Sequence, residues 1–523
     1  MEYIIKLKIN WGYLMIYKVN SCSIYGINGY IVKVEVDLSN GLPGFDIVGL
    51  PDTTVKESKE RVKAAIKNSE FQFPHKRITI NLAPADIKKE GSVFDLAIAA
   101  GLLVSSMYFP EEAVDNTIFL GELSLDGTVK GIKGILPMCM EAKKQGFSRV
   151  ITSIENAKEA ALVKGLDIIG VNDLKQMVEF LNGSLNIEPT VFSAENLQIN
   201  DIDDWDFKDV KGQYIVKRAL EIAAAGSHNV LMIGPPGSGK TMLARRLPSI
   251  LPDMTFEESL EVTKIYSVAG LLKEGENLIL KRPFRSPHHT ISAASLIGGG
   301  RIPKPGEVSL AHYGVLFLDE MPEFPKHVLE VLRQPLEDEC VTISRVNGTI
   351  TYPSKFMLIA SINPCPCGYF GDESNKCTCS VTQIKNYIGK ISGPLMDRID
   401  LHIEVKPVKF NDLSDDSKSE SSSSIKERIN KAREIQLKRY ANEGIYFNSQ
   451  LKPKHINKFC KIGQKEKALL KSAFEKYNMS ARAYNRILKV ARTIADLDNS
   501  ENIKIDHIAE AIQHRTLDKK YML

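Results

Sequence analysis

The sequence GPPGSGKT occupies residues 234–241 and has the spacing G-x-x-x-x-G-K-[ST] of a phosphate-binding P-loop. An apolar run at 229–233 precedes it and predicts a buried strand, and residues 242–247 predict a helix. Glycines let backbone N–H groups approach a phosphate closely, and the helix N-terminus adds partial positive charge. The alternative is a glycine-rich turn with an incidental lysine. We expect nucleotide phosphates to contact Gly234, Pro235, Pro236, Gly237, Ser238, Gly239, Lys240 and Thr241.

Two further apolar segments end in polar residues that suit nucleotide hydrolysis. Residues 314–318 precede Asp319 and Glu320, and residues 356–362 precede Asn363. We expect Asp319 to hold Mg²⁺ together with the Thr241 hydroxyl, and Glu320 to polarise the attacking water. Asn363 then contacts the γ-phosphate or that water. The sequence therefore predicts ATP and Mg²⁺ as ligands of an ATP-hydrolysing α/β core.

Bulk composition narrows the class of protein. The chain has 523 residues, of which 43% are hydrophobic and 25% charged, which is typical of a globular protein with several domains. Its net charge of only +4 means that any nucleic-acid contact must be local. We expect no membrane span and no export signal, and therefore a cytoplasmic location. Met15 is an alternative start, which would make residues 1–14 an N-terminal extension.

Periodicity divides the rest into domains. Residues 15–185 predict an α/β domain with strands at 30–38, 77–82, 149–151 and 167–171, a helix at 53–68 and a buried helix at 94–103. Residues 186–208 predict a polar linker, 209–407 the nucleotide-binding core, 408–424 a low-complexity linker, and 425–523 a helical domain.

Four of the eight cysteines cluster inside the predicted core. Cys365, Cys367, Cys377 and Cys379 have the spacing C-x-C-x₉-C-x-C within an insert at 365–379. Four thiolates can form a tetrahedral Zn²⁺ site, although C-x-C is tighter than the usual C-x-x-C spacing. Zinc is the first interpretation and free thiols are the alternative.

Two cationic segments are candidates for DNA contact. Residues 277–306 contain no Asp or Glu but include Arg285, Arg301 and Lys304 around a glycine run. Residues 341–352 predict a β-hairpin with Arg345 beside its Asn-Gly turn. Such cationic loops suit a phosphate backbone. The alternatives are a solvated insert and an ordinary surface hairpin.

Two arginines are candidates to contact the γ-phosphate. Arg398 lies in LMDRIDLH and resembles the arginine finger of AAA+ rings, which reaches ATP held by the neighbouring subunit. The alternative is an intrachain salt bridge with Asp397 or Asp400. A helix starting at residue 480 resembles the second sensor helix of an AAA+ lid; Arg482 is the first choice for its phosphate contact and Arg486 the second.

The first domain resembles the Lon-protease-like domain, which has the ribosomal protein S5 domain 2-like fold. The resemblance lies in ITINLAPADIKKEGSVFDLAIAAG and FLGELSLDGTVKGIKGILPMCMEA. It places Val93 where active proteases have the nucleophilic serine and Leu136 where they have the activating lysine. We therefore expect no proteolysis. A shifted pair of Ser92 and Lys133 is the alternative, although catalysis tolerates only about 1 Å of misplacement.

Taken together, the motifs resemble the YifB/ComM family of Mg-chelatase-like AAA+ ATPases. NGLPGFDIVGLPD, GPPGSGKT, RPFRSPHHTIS, NPCPCGYFGD, LMDRIDLH and SARAYNRILKVARTIADL carry the resemblance in the family's order. It implies a P-loop AAA+ core with a C-terminal helical lid, a homo-oligomeric ring, a hexamer, and an ATP-driven helicase that promotes DNA branch migration during recombination of transforming DNA. The alternatives are a protein-remodelling scaffold and a magnesium-chelatase-type motor subunit, although nothing in the sequence suggests a tetrapyrrole pocket.

Overall fold

A computed structural model of the chain describes residues 16–192, 205–273, 275–300, 303–345, 348–371, 376–408, 419–441, 443–477 and 479–515. Internal contacts divide the chain into two units, one from Met1–Gln198 and Thr263–Ile279, the other from Ile199–Val262 and Leu280–Leu523. No helix among the described residues combines the length and the apolar composition needed to cross a membrane.

The first unit is a mixed α/β structure around a seven-stranded sheet with the strand order β3-β4-β2-β1-β5-β8-β9. Strands β1 and β2 are antiparallel, as are β2 and β4, whereas the remaining neighbours in this sheet are parallel. The strands of the first unit are β1 Ile16–Tyr25, β2 Asn28–Ser39, β3 Gly44–Val48, β4 Arg77–Ala83, β5 Thr117–Leu120, β6 Glu122–Leu123, β7 Val129–Lys130, β8 Arg149–Ser153 and β9 Asp167–Val171. Strands β6 and β7 form a separate two-stranded sheet. Its helices are α1 Thr53–Asn68, α2 Asp95–Ser105, α3 Ile135–Lys144, α4 Ile154–Ala160 and α5 Leu174–Leu181.

The predicted elements of this unit are confirmed. Helix α1 spans the predicted residues, and its Asp52 N-cap accepts a hydrogen bond from the Val55 N–H. Helix α2 is buried from Asp95 to Val104, as its continuous apolar run predicted. The buried carboxylate of Asp95 is matched by the Arg61 guanidinium at 2.7 Å.

The second unit contains a five-stranded sheet, all parallel, with the strand order β11-β14-β17-β10-β18. The elements of the second unit up to its last strand are α6 Tyr214–Gly226, β10 Val230–Ile233, α7 Lys240–Arg246, α8 Phe256–Ala269, β11 Phe284–Arg285, α9 Ala293–Ile297, β12 Gly298–Gly299, β13 Lys304–Pro305, α10 Glu307–Leu310, β14 Val315–Leu318, α11 Lys326–Glu330, α12 Arg333–Asp338, β15 Cys340–Arg345, β16 Gly348–Pro353, β17 Met357–Ile362, α13 Val381–Ile388, α14 Gly393–Met396 and β18 Leu401–Glu404. Helix α8 is divided between the units, and its residues from Thr263 onward belong to the first unit.

In the described part of the chain after the sheet, the helices are α15 Ser422–Arg439, α16 Pro453–Phe459, α17 Gln464–Lys476, α18 Ala481–Leu497 and α19 Ile505–Gln513. Helices α15 and α18 both pack against α6, so they share one hydrophobic core with the sheet. Strands β10, β14 and β17 are buried along their whole length. Because parallel strands end at one edge, the loops after these three strands converge there.

Two stretches differ from the sequence prediction in detail. Phe207, assigned to the first linker, is fully buried because an aromatic ring next to the core removes apolar area from water. The low-complexity serines end in an ordered helix start, since the Ser421 side chain caps α15. Residues 409–418 lie outside the described residues. The predicted hairpin is confirmed as β15 and β16, which pair Arg345 with Gly348.

Candidate nucleotide site and cysteine cluster

The P-loop connects β10 to α7 and has backbone conformations that require glycine. Gly237 and Gly239 have φ angles of 74° and 91°, a region that suits glycine. A Cβ on Gly234 would lie 2.2 Å from the Val405 carbonyl oxygen, so only glycine fits there. A Cβ on Gly237 would meet no atom within 4 Å, which shows that the loop faces open space.

Lys240 extends back along this loop. Its Nζ donates to the carbonyl oxygens of Gly234 at 2.7 Å and Pro235 at 2.9 Å, and to Asn363 Oδ1 at 3.2 Å. Burial lowers the pKa of Lys240, and the carboxylates of Asp319 and Glu320 oppose this shift. The structure thus brings together the P-loop lysine and the asparagine that the sequence assigned to a sensor role.

Thr241 and the two acids after β14 form the adjacent part of the site. Thr241 Oγ1 donates to Asp319 Oδ2 at 2.7 Å, and the Ser361 hydroxyl donates to the other oxygen of Asp319. The Glu320 N–H donates to Ser361 Oγ at 3.0 Å. Glu320 has a φ of 50°, a strained value for a glutamate that redirects the chain directly after the strand.

These groups fit Mg²⁺ and a nucleotide triphosphate. A hydroxyl beside a carboxylate is the oxygen donor set that Mg²⁺ prefers, and the glycine loop leaves space for phosphates. Mg²⁺, when bound, neutralises negative charge on the phosphate oxygens. Thr241 and Asp319 would hold the metal, while Lys240 and the loop N–H groups would hold the phosphates.

Arg398 and Arg482 lie at the opposite end of the sheet. The Arg398 guanidinium donates to the Pro394 carbonyl at 2.7 Å and forms an ion pair with Glu337 rather than with Asp397 or Asp400. The Arg398 carbonyl accepts from the Asn229 side chain at 3.0 Å, directly before β10 begins. Arg482 Nη1 lies 3.5 Å from Asp397 Oδ2.

Arg486 has a structural partner at the same end. Its guanidinium forms an ion pair with Asp400, whose carboxylate also lies 3.6 Å from His228 Nδ1. Burial alone would raise the pKa of Asp400, but Arg486 and His228 hold it well below its usual value. Arg398, Arg486 and Asp400 border a cavity of about 840 Å³ at this amino end of the sheet.

The P-loop and the arginines therefore occupy opposite ends of β10. The strand lies between Asn229 and Gly234, and at about 3.3 Å per residue these two flanking residues are about 16 Å apart. Lys240, Thr241, Asp319, Glu320 and Asn363 converge at the carboxyl end of the sheet. Arg398 and Arg482 do not join them within the same chain.

The four cysteines of the C-x-C-x₉-C-x-C motif lie close together in the structure. Their Sγ atoms all lie within 4.8 Å of one another. The Sγ atom of Cys365 is 3.3 Å from that of Cys367 and 3.8 Å from that of Cys377. Burial opposes ionisation of Cys367, but hydrogen bonds from the N–H groups of Tyr369 and Thr378 and from neighbouring thiols lower its pKa to about 6. The four thiols are therefore close enough to act as one group of ligands.

The structure describes two of the four candidate DNA-contact side chains. Arg285 is engaged by Glu307 through two hydrogen bonds of 2.6 and 2.8 Å, an acid located one residue beyond the acid-free segment. Lys304 is exposed on β13. Arg301 and the side chain of Arg345 lie outside the described residues.

The Ser92 and Lys133 side chains of the first unit have separate partners. The Ser92 hydroxyl donates to the Glu122 carboxylate. Lys133 instead packs against Gly270, where an added Cβ would lie 2.6 Å from its Cδ. Val93 and Leu136, at the positions matched to the protease dyad, are buried hydrocarbons. Neither serine nor lysine has the neighbour that nucleophilic catalysis requires.

Sequence reasoning missed three residues that shape these sites. Ser361 is a buried hydroxyl in an apolar strand and lies two residues before Asn363; that isolated polar position was the available signal. Glu307 and Glu337 are distant in sequence from Arg285 and Arg398, so no local pattern pairs them.

The sequence matches three known protein families and several curated relatives. Residues 206–413 match the family described as magnesium chelatase, subunit ChlI, residues 34–156 match subunit ChlI of Mg-chelatase, and residues 419–515 match the ChlI C-terminal family. The chain is 43% identical over 502 residues to competence protein ComM of Haemophilus influenzae, covering 95% of this chain and 97% of the relative. It is 42% identical over 505 residues to the uncharacterized protein YifB of Escherichia coli, covering 96% and 97%.

The chain belongs to the YifB/ComM family of Mg-chelatase-like AAA+ ATPases. A more distant similarity, 28% identity over 200 residues, connects it to Lon protease 2 of Bacillus subtilis and covers 35% of each chain. Membership in this AAA+ family implies ATP, Mg²⁺ and an oligomeric assembly.

Proposed function

We propose that the protein is a DNA-remodelling AAA+ motor, a helicase that uses ATP hydrolysis in a homo-oligomeric, hexameric ring to promote branch migration. The separation of Arg398 and Arg482 from the P-loop of their own chain carries the ring assignment. Each chain holds one half of an ATPase site at each end of its sheet. A second copy would complete both halves.

The carboxyl end of the sheet would perform the hydrolytic chemistry. Lys240 and the loop N–H groups would bind and orient the phosphates, and Thr241 and Asp319, which are hydrogen-bonded to each other, would hold the metal. Glu320, held in place through its N–H by Ser361, would accept the proton of the attacking water. Asn363 would orient that water or the γ-phosphate.

The arginine end would act on the neighbouring chain. Arg398 would stabilise charge that develops on the transferred phosphoryl group, which is the role of an arginine finger. Arg482, beside Asp397, would contact the same nucleotide from α18. The Arg482 side chain is exposed and that of Arg398 is mostly buried, but both are paired to partly exposed acids, so a phosphate can compete with these acids for the two arginines.

DNA as the substrate is supported by the family resemblance, by similarity to a competence protein and by the cationic hairpins. Lys304 is exposed on the β12–β13 hairpin, and β15–β16 bears Arg345 at its tip. Arg285 contributes less to this surface because Glu307 neutralises it. A cationic surface releases counterions from DNA, so binding must weaken as salt rises.

The deciding experiment monitors ATP-dependent movement of a three- or four-stranded DNA junction and the stimulation of hydrolysis by DNA. We expect both activities, and we expect Lys304→Glu to weaken them. Lys465→Glu makes the same charge change at an exposed position on α17 and serves as the control. Hydrolysis without DNA stimulation or junction movement would favour the protein-remodelling scaffold. In either case the first unit would serve as a non-proteolytic domain, since Ser92 pairs with Glu122.

A further inference from the structure

The cysteine cluster has the dimensions of a metal site. Tetrahedral zinc with Zn–S bonds of about 2.3 Å requires sulfur atoms about 3.8 Å apart. Cys365 Sγ and Cys377 Sγ are 3.8 Å apart, and Cys367 Sγ and Cys377 Sγ are 3.7 Å apart. A disulfide would require about 2.05 Å, and all four cysteines are free thiols.

The residue after Cys367 packs directly on the phosphate loop. Gly368, the residue after Cys367, has a φ of 88°. A Cβ at this position would lie 2.4 Å from Cδ and 2.7 Å from Cγ of Pro236. Pro236 lies inside GPPGSGKT, so a displacement of the cysteine loop moves a wall of the nucleotide site.

A second connection runs through the helix after the cluster. Ser380, directly after Cys379, caps α13 with a reciprocal capping box to Gln383. The same helix carries Tyr387, whose hydroxyl is hydrogen-bonded to the backbone of Asn363. The cluster is therefore joined to the P-loop through Gly368 and to Asn363, the residue after β17, through Tyr387.

We propose that Cys365, Cys367, Cys377 and Cys379 bind one Zn²⁺ as a tetrathiolate site, and that metal loading fixes the P-loop in its nucleotide-binding geometry. The coupling rests on the proposed ATPase function, whereas the metal site does not. The four thiols lose their protons when the metal binds, so loading requires reduced cysteines. Nucleotide affinity would then depend on zinc supply and on thiol oxidation.

The first test measures the metal content of the purified full chain by elemental mass spectrometry. We expect about one zinc ion per chain, and little in the double variant Cys377→Ser/Cys379→Ser. Cys340→Ser removes a partly buried cysteine outside the cluster and serves as the matched control, which should keep the metal. The proposal would be overturned if the reduced wild-type chain contained no zinc after purification and bound none when zinc was added.

The second test measures binding of a fluorescent ATP analogue by the Glu320→Gln chain before and after zinc removal with a chelator. We expect affinity to fall about tenfold or more and to recover when zinc is restored, equivalent to about 1.4 kcal/mol. The coupling would be overturned if the purified chain carried a full zinc ion but bound the ATP analogue equally well after the zinc was removed. A zinc-loaded chain that never binds the analogue would overturn the ATPase function and the coupling, but not the metal site.

A glycine variant separates local coupling from unfolding. Gly368→Ala leaves all four cysteines intact but places a methyl group against Pro236. We expect it to retain zinc and bind the analogue more weakly. Gly444→Ala is matched for backbone strain, with a φ of 63° and no atom near the added Cβ, and should bind normally. Equal affinities in the two variants would contradict contact through Gly368.

Discussion

The two ends of the parallel sheet in the second unit differ in how completely their charges are satisfied. At the carboxyl end, Lys240, Thr241 and Asp319 contact each other or the loop directly and form a recognisable half-site. At the amino end, Arg398 and Arg482 are held by acids that solvent reaches, with Glu337 62% and Asp397 36% exposed. The amino end thus holds cations that a competing anion can take over.

Arg486 shows that this contrast does not extend to every arginine at the amino end. Its partner Asp400 is buried, and removal of one member of a buried pair leaves an uncompensated charge. Exposed pairs of the Arg398 type contribute little to stability. Burial of the partner therefore separates an arginine available for function from one committed to the fold.

Removal of Arg398 should have the largest effect. We expect Arg398→Ala to lower ATP turnover about 10³-fold while nucleotide affinity stays near the wild-type value, because the guanidinium acts on the neighbour's site. Phosphate release and equilibrium binding measure the two quantities. Mixing this variant with Lys240→Ala should restore part of the activity, since some interfaces then combine an intact P-loop with an intact arginine. Failure to restore any turnover would contradict a shared site.

Loss of the general base at the other end should come next. Glu320→Gln should reduce turnover about 10²-fold or more with retained ATP binding, because the amide cannot accept the proton of the attacking water. Glu323→Gln changes a nearby acid that pairs weakly with Lys390 at 3.8 Å and is the control. Comparable losses in both variants would show that Glu320 has no special role.

The buried pair should affect stability instead of catalysis. Arg486→Met should lower the free energy of unfolding by about 3 kcal/mol, measured by chemical denaturation, and Arg486→Met/Asp400→Asn should be less destabilised. Because the folded pKa of Asp400 is depressed, its contribution is present above its unfolded pKa of about 3.9 and is lost as pH falls below that value. The free energies of unfolding of the wild type and of Arg486→Met should therefore converge in acid. A difference between them that stayed constant with pH would contradict the role of Asp400.

The exposed pair should give the smallest effect. We expect Glu337→Gln to change stability by less than about 1 kcal/mol and to leave turnover within about twofold, since Arg398 keeps its hydrogen bond to Pro394. Steady-state hydrolysis and thermal melting measure both. If Arg398 served only as an intrachain salt bridge, this variant would reproduce the loss caused by Arg398→Ala.

Local patterns predicted much of the fold and half of the candidate site. The strands before GPPGSGKT, Asp319 and Asn363 were visible as apolar runs, and α1 is explained by helical spacing and its N-cap. Ser361, Glu307 and Glu337 could not be assigned partners in this way, since their contacts join residues far apart in sequence. The burial of Phe207 inside a polar stretch was hidden for the same reason.

By itself the sequence determined the phosphate loop, the acids after β14 and the spacing of the four cysteines, because glycine freedom, side-chain chemistry and periodicity act over short distances. Only the tertiary structure decided that Arg398 lies at the opposite end of β10 from Lys240 in the same chain, since the loops at the two ends of a parallel strand are held apart by its length. The tertiary structure likewise determines that Gly368 packs against Pro236. Packing between distant segments set both outcomes.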